Sequence, residues 1–313
     1  MGPGPRLAFL GTPAFAVPSL RRLVASGHDV RLVVTQPDRP AGRGHAPTPP
    51  PVKREAERLG LPFFQPDRLS APDGVERLVA SGAELGVVAA YGEVLSRDLL
   101  AALPRGFVNV HPSLLPRLRG ATPIPTAILL GLERTGVTVM RVSPGVDAGP
   151  ILAQVGEPIR DDDTGETLAD RLAELGAELL AETLPRWLAG RIAARPQDTR
   201  RATYSEPLRR EDGRADWSRP AVDLWRRCRA FQPWPGLHTT WEGRRLKLLD
   251  VAPLPSRQGH PPGQVFGHRD GLAVACGTGA LLLRRLQPEG RGGMSAEEFA
   301  RGQRAFPSAR LGA

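Results

Sequence analysis

Short apolar runs alternate with amphipathic stretches through residues 1–189, and this alternation constrains the fold more than any other feature. The runs at 6–11, 30–35, 85–90, 106–111 and 137–142 read as buried strands. Between them, residues 14–26, 52–59, 73–81, 96–102 and 126–131 carry helical patterning. A longer helix is expected over 166–189, where Leu168, Leu172, Leu175, Leu179 and Leu180 recur at three- and four-residue spacing. Strands and helices in alternation imply an α/β, Rossmann-like domain around a mostly parallel sheet, filling residues 1–189.

The pattern changes after that. Residues 190–205 are basic, short of apolar periodicity and contain Pro196, and are expected to form a basic linker. A helix is expected at 221–230. It is followed by strand-like runs at 238–241, 246–251, 264–267, 272–276 and 280–286, separated by Gly and Pro turns. Several short strands in so little chain predict a small β-barrel of the oligonucleotide-binding kind over 206–313.

Charge separates the two halves. Residues 1–189 hold 20 basic and 21 acidic side chains, a net of −1, and residues 190–313 hold 22 and 12, a net of +10. A polyanionic partner gripped by the second half would account for this, as would a solvated basic surface in an arginine-rich chain. Of the 42 basic residues only Lys53 and Lys247 are lysines. Cys228 and Cys276 are too few for a disulfide framework and are expected to be reduced, buried hydrophobes. No apolar run reaches membrane-spanning length and the first residues do not resemble a secretory signal, so a cytoplasmic location is expected.

The most informative segment is Phe107-Val-Asn-Val-His-Pro112. Residues two apart on a strand share a face, so Asn109 and His111 project together, and Pro112 ends the strand at the sheet's carboxyl edge. Asn109 is the single asparagine in the 313 residues. A third polar group, Asp147, sits between glycines in Gly145-Val-Asp-Ala-Gly149, directly after the strand at 137–142, which is expected to run parallel and so to deliver the loop to the same edge. Each has a plainer reading when taken alone: a strand-end turn, a satisfied core histidine, a turn aspartate. Together they suit acyl transfer to an amine, with an amide and a histidine to stabilise an oxyanion and a carboxylate to orient the imidazole and move a proton. The six histidines lack paired ligand spacing, which argues against a metal site. Gly11-Thr-Pro13 holds one of the three glycines of a dinucleotide fingerprint, which argues against a nicotinamide enzyme.

Asn109-Val-His-Pro-Ser-Leu-Leu-Pro116, followed by Arg117-Leu-Arg-Gly120, resembles the formyltetrahydrofolate-dependent formyltransferases. The resemblance implies that Asn109, His111 and Asp147 are catalytic. It implies that Ser113, Leu114, Leu115 and Pro116 line the folate site, and that backbone groups of Val88, Ala89, Ala90 and Tyr91 hold the pterin. The co-substrate would be 10-formyltetrahydrofolate, with no tightly bound cofactor.

Three further segments resemble the members of that family acting on methionyl-tRNA: Leu10-Gly-Thr-Pro13, the loop from Thr35 through Gly44, and Phe231-Gln-Pro-Trp-Pro235. The loop would enter the acceptor end of initiator methionyl-tRNA with Arg39 and Arg43 on phosphates and base edges. A monomer is expected. The chain departs from the family pattern at Leu118, at Pro125 and at His45-Ala46. Other readings stay open: a formyltransferase for an amino sugar nucleotide or for glycinamide ribonucleotide, a formyltetrahydrofolate hydrolase module, or an RNA-binding protein that has lost catalysis.

Overall fold

Seven strands form the sheet of the first unit in a computed structural model that describes residues 4–41, 46–257 and 259–312. They are β1 (Leu7–Gly11), β2 (Val30–Val34), β3 (Phe63–Phe64), β4 (Leu85–Ala89), β5 (Phe107–His111), β6 (Arg134–Arg141) and β7 (Ile151–Pro158). Their spatial order is β7-β6-β5-β4-β1-β2-β3. The pairs among β1 to β5 are parallel, while β6 runs antiparallel to β5 and β7 antiparallel to β6. The strand order reverses between β1 and β4, so the crevice at their carboxyl ends is the expected ligand position of an open α/β sheet. There the Thr12 hydroxyl donates to the Tyr91 carbonyl at 2.8 Å, tying the loops after β1 and β4 together.

The expected strands and helices of this half are present with shifts of a few residues. Proline stands in the first turn of four of the described helices of this half, at Pro18 in α1 (Val17–Ala25), Pro51 in α2 (Pro51–Arg58), Pro72 in α3 (Pro72–Ala80) and Pro123 in a later one. A first-turn N–H has no intrahelical partner, so its loss costs nothing there. Further along come α4 (Arg97–Ala101), α5 (Pro123–Leu129) and α6 (Gly165–Leu188). On α6, Gly176 approaches β5 and β6 so closely that an added Cβ would lie 2.8 Å from Val110 and 3.3 Å from Val137. Two strands of this sheet were not legible beforehand. β3 is only two residues long, and β7 is an edge strand whose apolar run stops after three residues, with Gln154, Gly156 and Glu157 beyond it.

The chain divides into two compact units. The first comprises the described residues of Met1–Pro123, Arg134–Pro158 and Leu168–Ser205; the second comprises those of Ile124–Glu133, Ile159–Thr167 and Glu206–Ala313. Within the second unit, Arg229 explains why the short piece from Ile159 to Thr167 belongs there. Its guanidinium donates to the Asp163 and Arg160 carbonyls and lies 4.5 Å from the Trp225 ring.

The second unit is a curled antiparallel sheet, a half-barrel. Its strands are β8 (His238–Trp241), β9 (Arg244–Leu254), β10 (Val265–His268), β11 (Gly271–Ala275), β12 (Ala280–Pro288) and β13 (Met294–Ser295). They are ordered β8-β9-β12-β11-β10, with β13 beside β12. A helix, α7 (Ala221–Ala230), lies where the sequence placed one, and α8 (Ala296–Gly302) adds another. The unit buries Trp217, Leu248, Leu281 and Leu286 together, and Trp241, Phe299 and Phe306 meet edge to face with centroids 4.8–5.4 Å apart. Cys228 and Cys276 are both free and buried here, and burial pushes each thiol up to about 12.

Two outcomes follow from this packing. Neither cysteine will react with a thiol-titrating disulfide at pH 8 in the folded protein, and both will react once it is unfolded. Replacing Gly86 by Ala drives a Cβ into the Phe107 ring at the start of β5. Urea unfolding should report a loss of about 1–3 kcal/mol, the usual cost of an overpacked core.

Candidate active site

Asn109 and His111 share one face of β5; Asn109 is half-buried and His111 is only 4% exposed. Both converge on Asp147. The Asn109 Nδ2 donates to Asp147 Oδ1 at 3.4 Å, and His111 Nδ1 lies 3.5 Å from Asp147 Oδ2. The same Oδ2 accepts the Gly120 N–H at 2.8 Å. The three polar residues singled out in the sequence therefore lie together, with Asn109 hydrogen-bonded to Asp147 and His111 within 3.5 Å of its carboxylate.

The route by which Asp147 arrives differs from the expectation. The strand before it was read as parallel, which would deliver the loop to the carboxyl edge of β5. In fact β6 is antiparallel, with Arg141 opposite Val108, so the loop leaves near the beginning of β5. It reaches Asn109 and His111 by folding back. Gly145 (φ 101°) and Asp147 (φ 45°) supply left-handed turns, and at Gly149 a Cβ would collide with the Arg141 carbonyl. Ala90 (φ 47°), Leu118 (φ 56°) and Asp147 are three of the four non-glycine residues in left-handed conformation among the described residues. That conformation costs a residue with a side chain about 1–2 kcal/mol, and two of the four, Leu118 and Asp147, belong to the group just described.

Leu118 shows what the twist achieves. Its carbonyl lies 3.0 Å from His111 Nε2. A carbonyl can only accept, so Nε2 carries the hydrogen and the ring presents Nδ1 to Asp147. Nδ1 then bonds Asp147 when a proton lies between the two, on the ring or on the carboxylate.

The loop at 113–116 is fixed from the antiparallel strands. Thr138 Oγ1 donates to the Ser113 carbonyl at 2.6 Å and accepts the Leu115 N–H at 3.2 Å. Gln154 Nε2 donates to that same hydroxyl and to the Leu115 carbonyl, both at 2.9 Å. The Ser113 hydroxyl donates to the Arg117 carbonyl at 2.7 Å, which commits it to closing its own turn. Leu115 packs with Met140 and Ile151 in the core, whereas Leu114 and Pro116 remain half-buried. Along the other proposed folate residues, Val88 is half-buried, Ala89 and Tyr91 are buried, and Ala90 is exposed.

Residues that sequence reasoning missed come from the segment read as a linker. Residues 190–205 are exposed over most of their length, yet Gln197 Nε2 donates to the carbonyls of Asp147 (2.8 Å) and Gly149 (2.7 Å). Its Oε1 accepts from Arg119 Nη2 at 2.8 Å and Nε at 3.1 Å. Tyr204–Ser205 pairs in parallel with Arg119–Gly120, and the Thr203 hydroxyl accepts the Leu118 N–H at 2.9 Å. No local pattern could have signalled this, because Gln197 stands alone in a segment without periodicity, 50 residues from Asp147.

The inserted loop has a fixed base. Arg39–Ala41 pairs with Ala46–Thr48 as an antiparallel ribbon, and Asp38 accepts from Lys53 and Gln65, each at 2.7 Å. Arg39 is exposed; Arg43 and His45 lie outside the described residues. Among the described residues, no group of three or more His, Cys, Asp or Glu could hold a metal ion, and no helix is long and apolar enough to cross a membrane.

Comparison with known proteins agrees with this geometry. Residues 5–184 match the formyl transferase family and residues 207–304 match the formyl transferase C-terminal domain. The chain belongs to the formyl transferase family. Among its relatives, the methionyl-tRNA formyltransferase of Methylococcus capsulatus is 48% identical over 307 residues, spanning 98% of this chain and 99% of that one. Among solved structures, the N-formyltransferase from Helicobacter canadensis in complex with folinic acid and dTDP-3-aminofucose shares the fold, with a TM-score of 0.65 and 15% identity. That likeness covers 88% of this chain and 98% of that one. Glycinamide ribonucleotide transformylase 1 from Symbiobacterium toebii aligns with a TM-score of 0.53 and 25% identity, over 63% of this chain and 96% of that one.

Replacing Thr138 by Val keeps the shape of the side chain and removes the hub beneath residues 113–116. Thermal and urea unfolding should show a loss of about 1–3 kcal/mol, since the buried groups left behind lose their partners.

Proposed function

We propose that the chain transfers the formyl group of 10-formyltetrahydrofolate to the amine of the methionyl moiety of initiator methionyl-tRNA, giving N-formylmethionyl-tRNA for translation initiation. One observation carries the choice of acceptor: likeness to methionyl-tRNA formyltransferases runs through both units, including the half-barrel, and not through the catalytic half alone. The residues from 190 onward hold the +10 charge, as an enzyme gripping a polyanion requires.

In this reading the methionyl amine, neutral at the moment of attack, bonds to the formyl carbon. The carbonyl oxygen becomes an oxyanion, and Asn109 donates an amide hydrogen to it. Asp147 takes the proton lost by the amine and returns it to N10 of the folate as the bond from that nitrogen to carbon breaks. His111, held by the Leu118 carbonyl, faces Asp147 with Nδ1 and can share the proton once the carboxylate has taken it. The 113–116 loop and residues 88–91 line the folate site, and 10-formyltetrahydrofolate is a co-substrate rather than a resident cofactor. The half-barrel and the 190–205 segment hold tRNA phosphates, and the loop bearing Arg39 and Arg43 enters the weakly paired acceptor end that distinguishes initiator from elongator tRNA. The enzyme works as a cytoplasmic monomer.

The test is transfer of labelled formyl from 10-formyltetrahydrofolate to initiator methionyl-tRNA, with methionyl elongator tRNA as control. Labelling of the initiator alone is expected; release of formate, or labelling of a small amine instead, would overturn the reading. Replacing Asn109 or Asp147 by Ala should lower kcat by about 10²–10³ while tRNA binding is retained. Raising salt from about 50 to 200 mM should raise KM for tRNA by about 10-fold or more and leave KM for folate nearly unchanged.

A further inference from the structure

We propose that Gln197 is a positioning residue for formyl transfer, holding the folded-back Asp147 loop in register with Asn109 and His111. The proposal rests on the reading of Asp147 as the proton carrier.

The carboxamide of Gln197 is used at both ends. Its NH₂ faces two carbonyls, of Asp147 and Gly149, and its oxygen faces two donors of one guanidinium. Carbonyls only accept and guanidinium only donates, so these partners admit one orientation of the amide; a flipped group would oppose like with like at all four contacts. The guanidinium belongs to Arg119, which is 3% exposed and anchored in the ladder with Tyr204–Ser205.

The next residue, Gly120, donates its N–H to the Asp147 carboxylate. A closed ring results: Arg119 grips Gln197, Gln197 grips the Asp147 carbonyl, and the Asp147 carboxylate returns to Gly120. Asp147 is thereby held at its main chain by Gln197 and at its side chain by Gly120.

The topology makes this grip necessary. The loop leaves β6 at the wrong end of β5 and must turn back through two left-handed residues, one of them Asp147 itself. Gln197 bonds the loop on the far side of that turn. Proton transfer needs hydrogen-bond reach, and a displacement of about 1 Å costs about 10²-fold in rate.

Gln197→Glu isolates the effect. The carboxylate keeps the length of the side chain and accepts from Arg119 as before, but sets an oxygen against both loop carbonyls. We expect kcat to fall about 30- to 100-fold, KM for both substrates to stay within about 3-fold, and the melting temperature to move by only a few degrees. Gln197→Met, which lacks the donors without adding charge, should fall in the same direction.

In an Asp147→Asn background, Gln197→Glu should add less than about 3-fold, because residues acting as a unit are not additive. Wild-type kcat in both variants, a full multiplicative loss in the Asp147→Asn background, or loss of cooperative melting in both variants would each overturn the proposal. Absence of formyl transfer by the parent enzyme would instead sink the reading of Asp147, since the proposal concerns only the ratio of variant to parent.

Discussion

A single carboxylate organises this site. Asp147 meets an amide from Asn109, an imidazole from His111 and a backbone N–H from Gly120, and the surrounding loops are shaped to keep it there. A carboxylate in a partly desolvated pocket is costly unless its oxygens are satisfied, and satisfying them fixes the conformations of three chain segments at once. Leu118 twists to aim its carbonyl at the imidazole, Gly149 gives up a side chain to let the loop turn, and Gln197 reaches in from a later segment. Two of this unit's three left-handed non-glycine residues among those described, Leu118 and Asp147, belong to that arrangement.

The sheet supplies the rigid part of the arrangement. β5 lies inside the sheet, paired with β4 on one side and β6 on the other, so Asn109 and His111 are carried on buried backbone with both edges satisfied. The hairpin of β6 and β7 then provides Thr138 and Gln154, which hold the 113–116 loop from beneath. The antiparallel edge therefore serves two functions: it launches the loop with Asp147 and it braces the loop expected to meet folate.

What was legible in the sequence followed from periodicity and local chemistry. The strand ending at His111 declared itself through alternation and a terminal proline, and the helix at Ala221–Ala230 appeared with the expected bounds. The α/β first half followed by a small antiparallel sheet was likewise readable from the spacing of apolar runs. Strand direction was not readable, since the apolar residues of β6 look the same whichever way it runs; the parallel reading of the Asp147 approach failed for that reason. β7 was hidden because an edge strand tolerates polar residues on its open side. Gln197 and Arg119 were hidden because their partners lie far off in sequence, and a lone glutamine in a basic stretch has no signature.

The ladder between Arg119–Gly120 and Tyr204–Ser205 has a consequence for how the enzyme is made. Chain emerging from the ribosome has Asn109, His111 and Asp147 by residue 147 and its long helix by residue 188, yet the hydrogen bonds to the acidic loop wait for the residues from 197 to 205. The complete hydrogen-bonded arrangement is therefore acquired late in translation. A gene dissected after the helix Gly165–Leu188 would encode Asn109, His111 and Asp147 and still lack the hydrogen bonds that Gln197 and Tyr204–Ser205 supply.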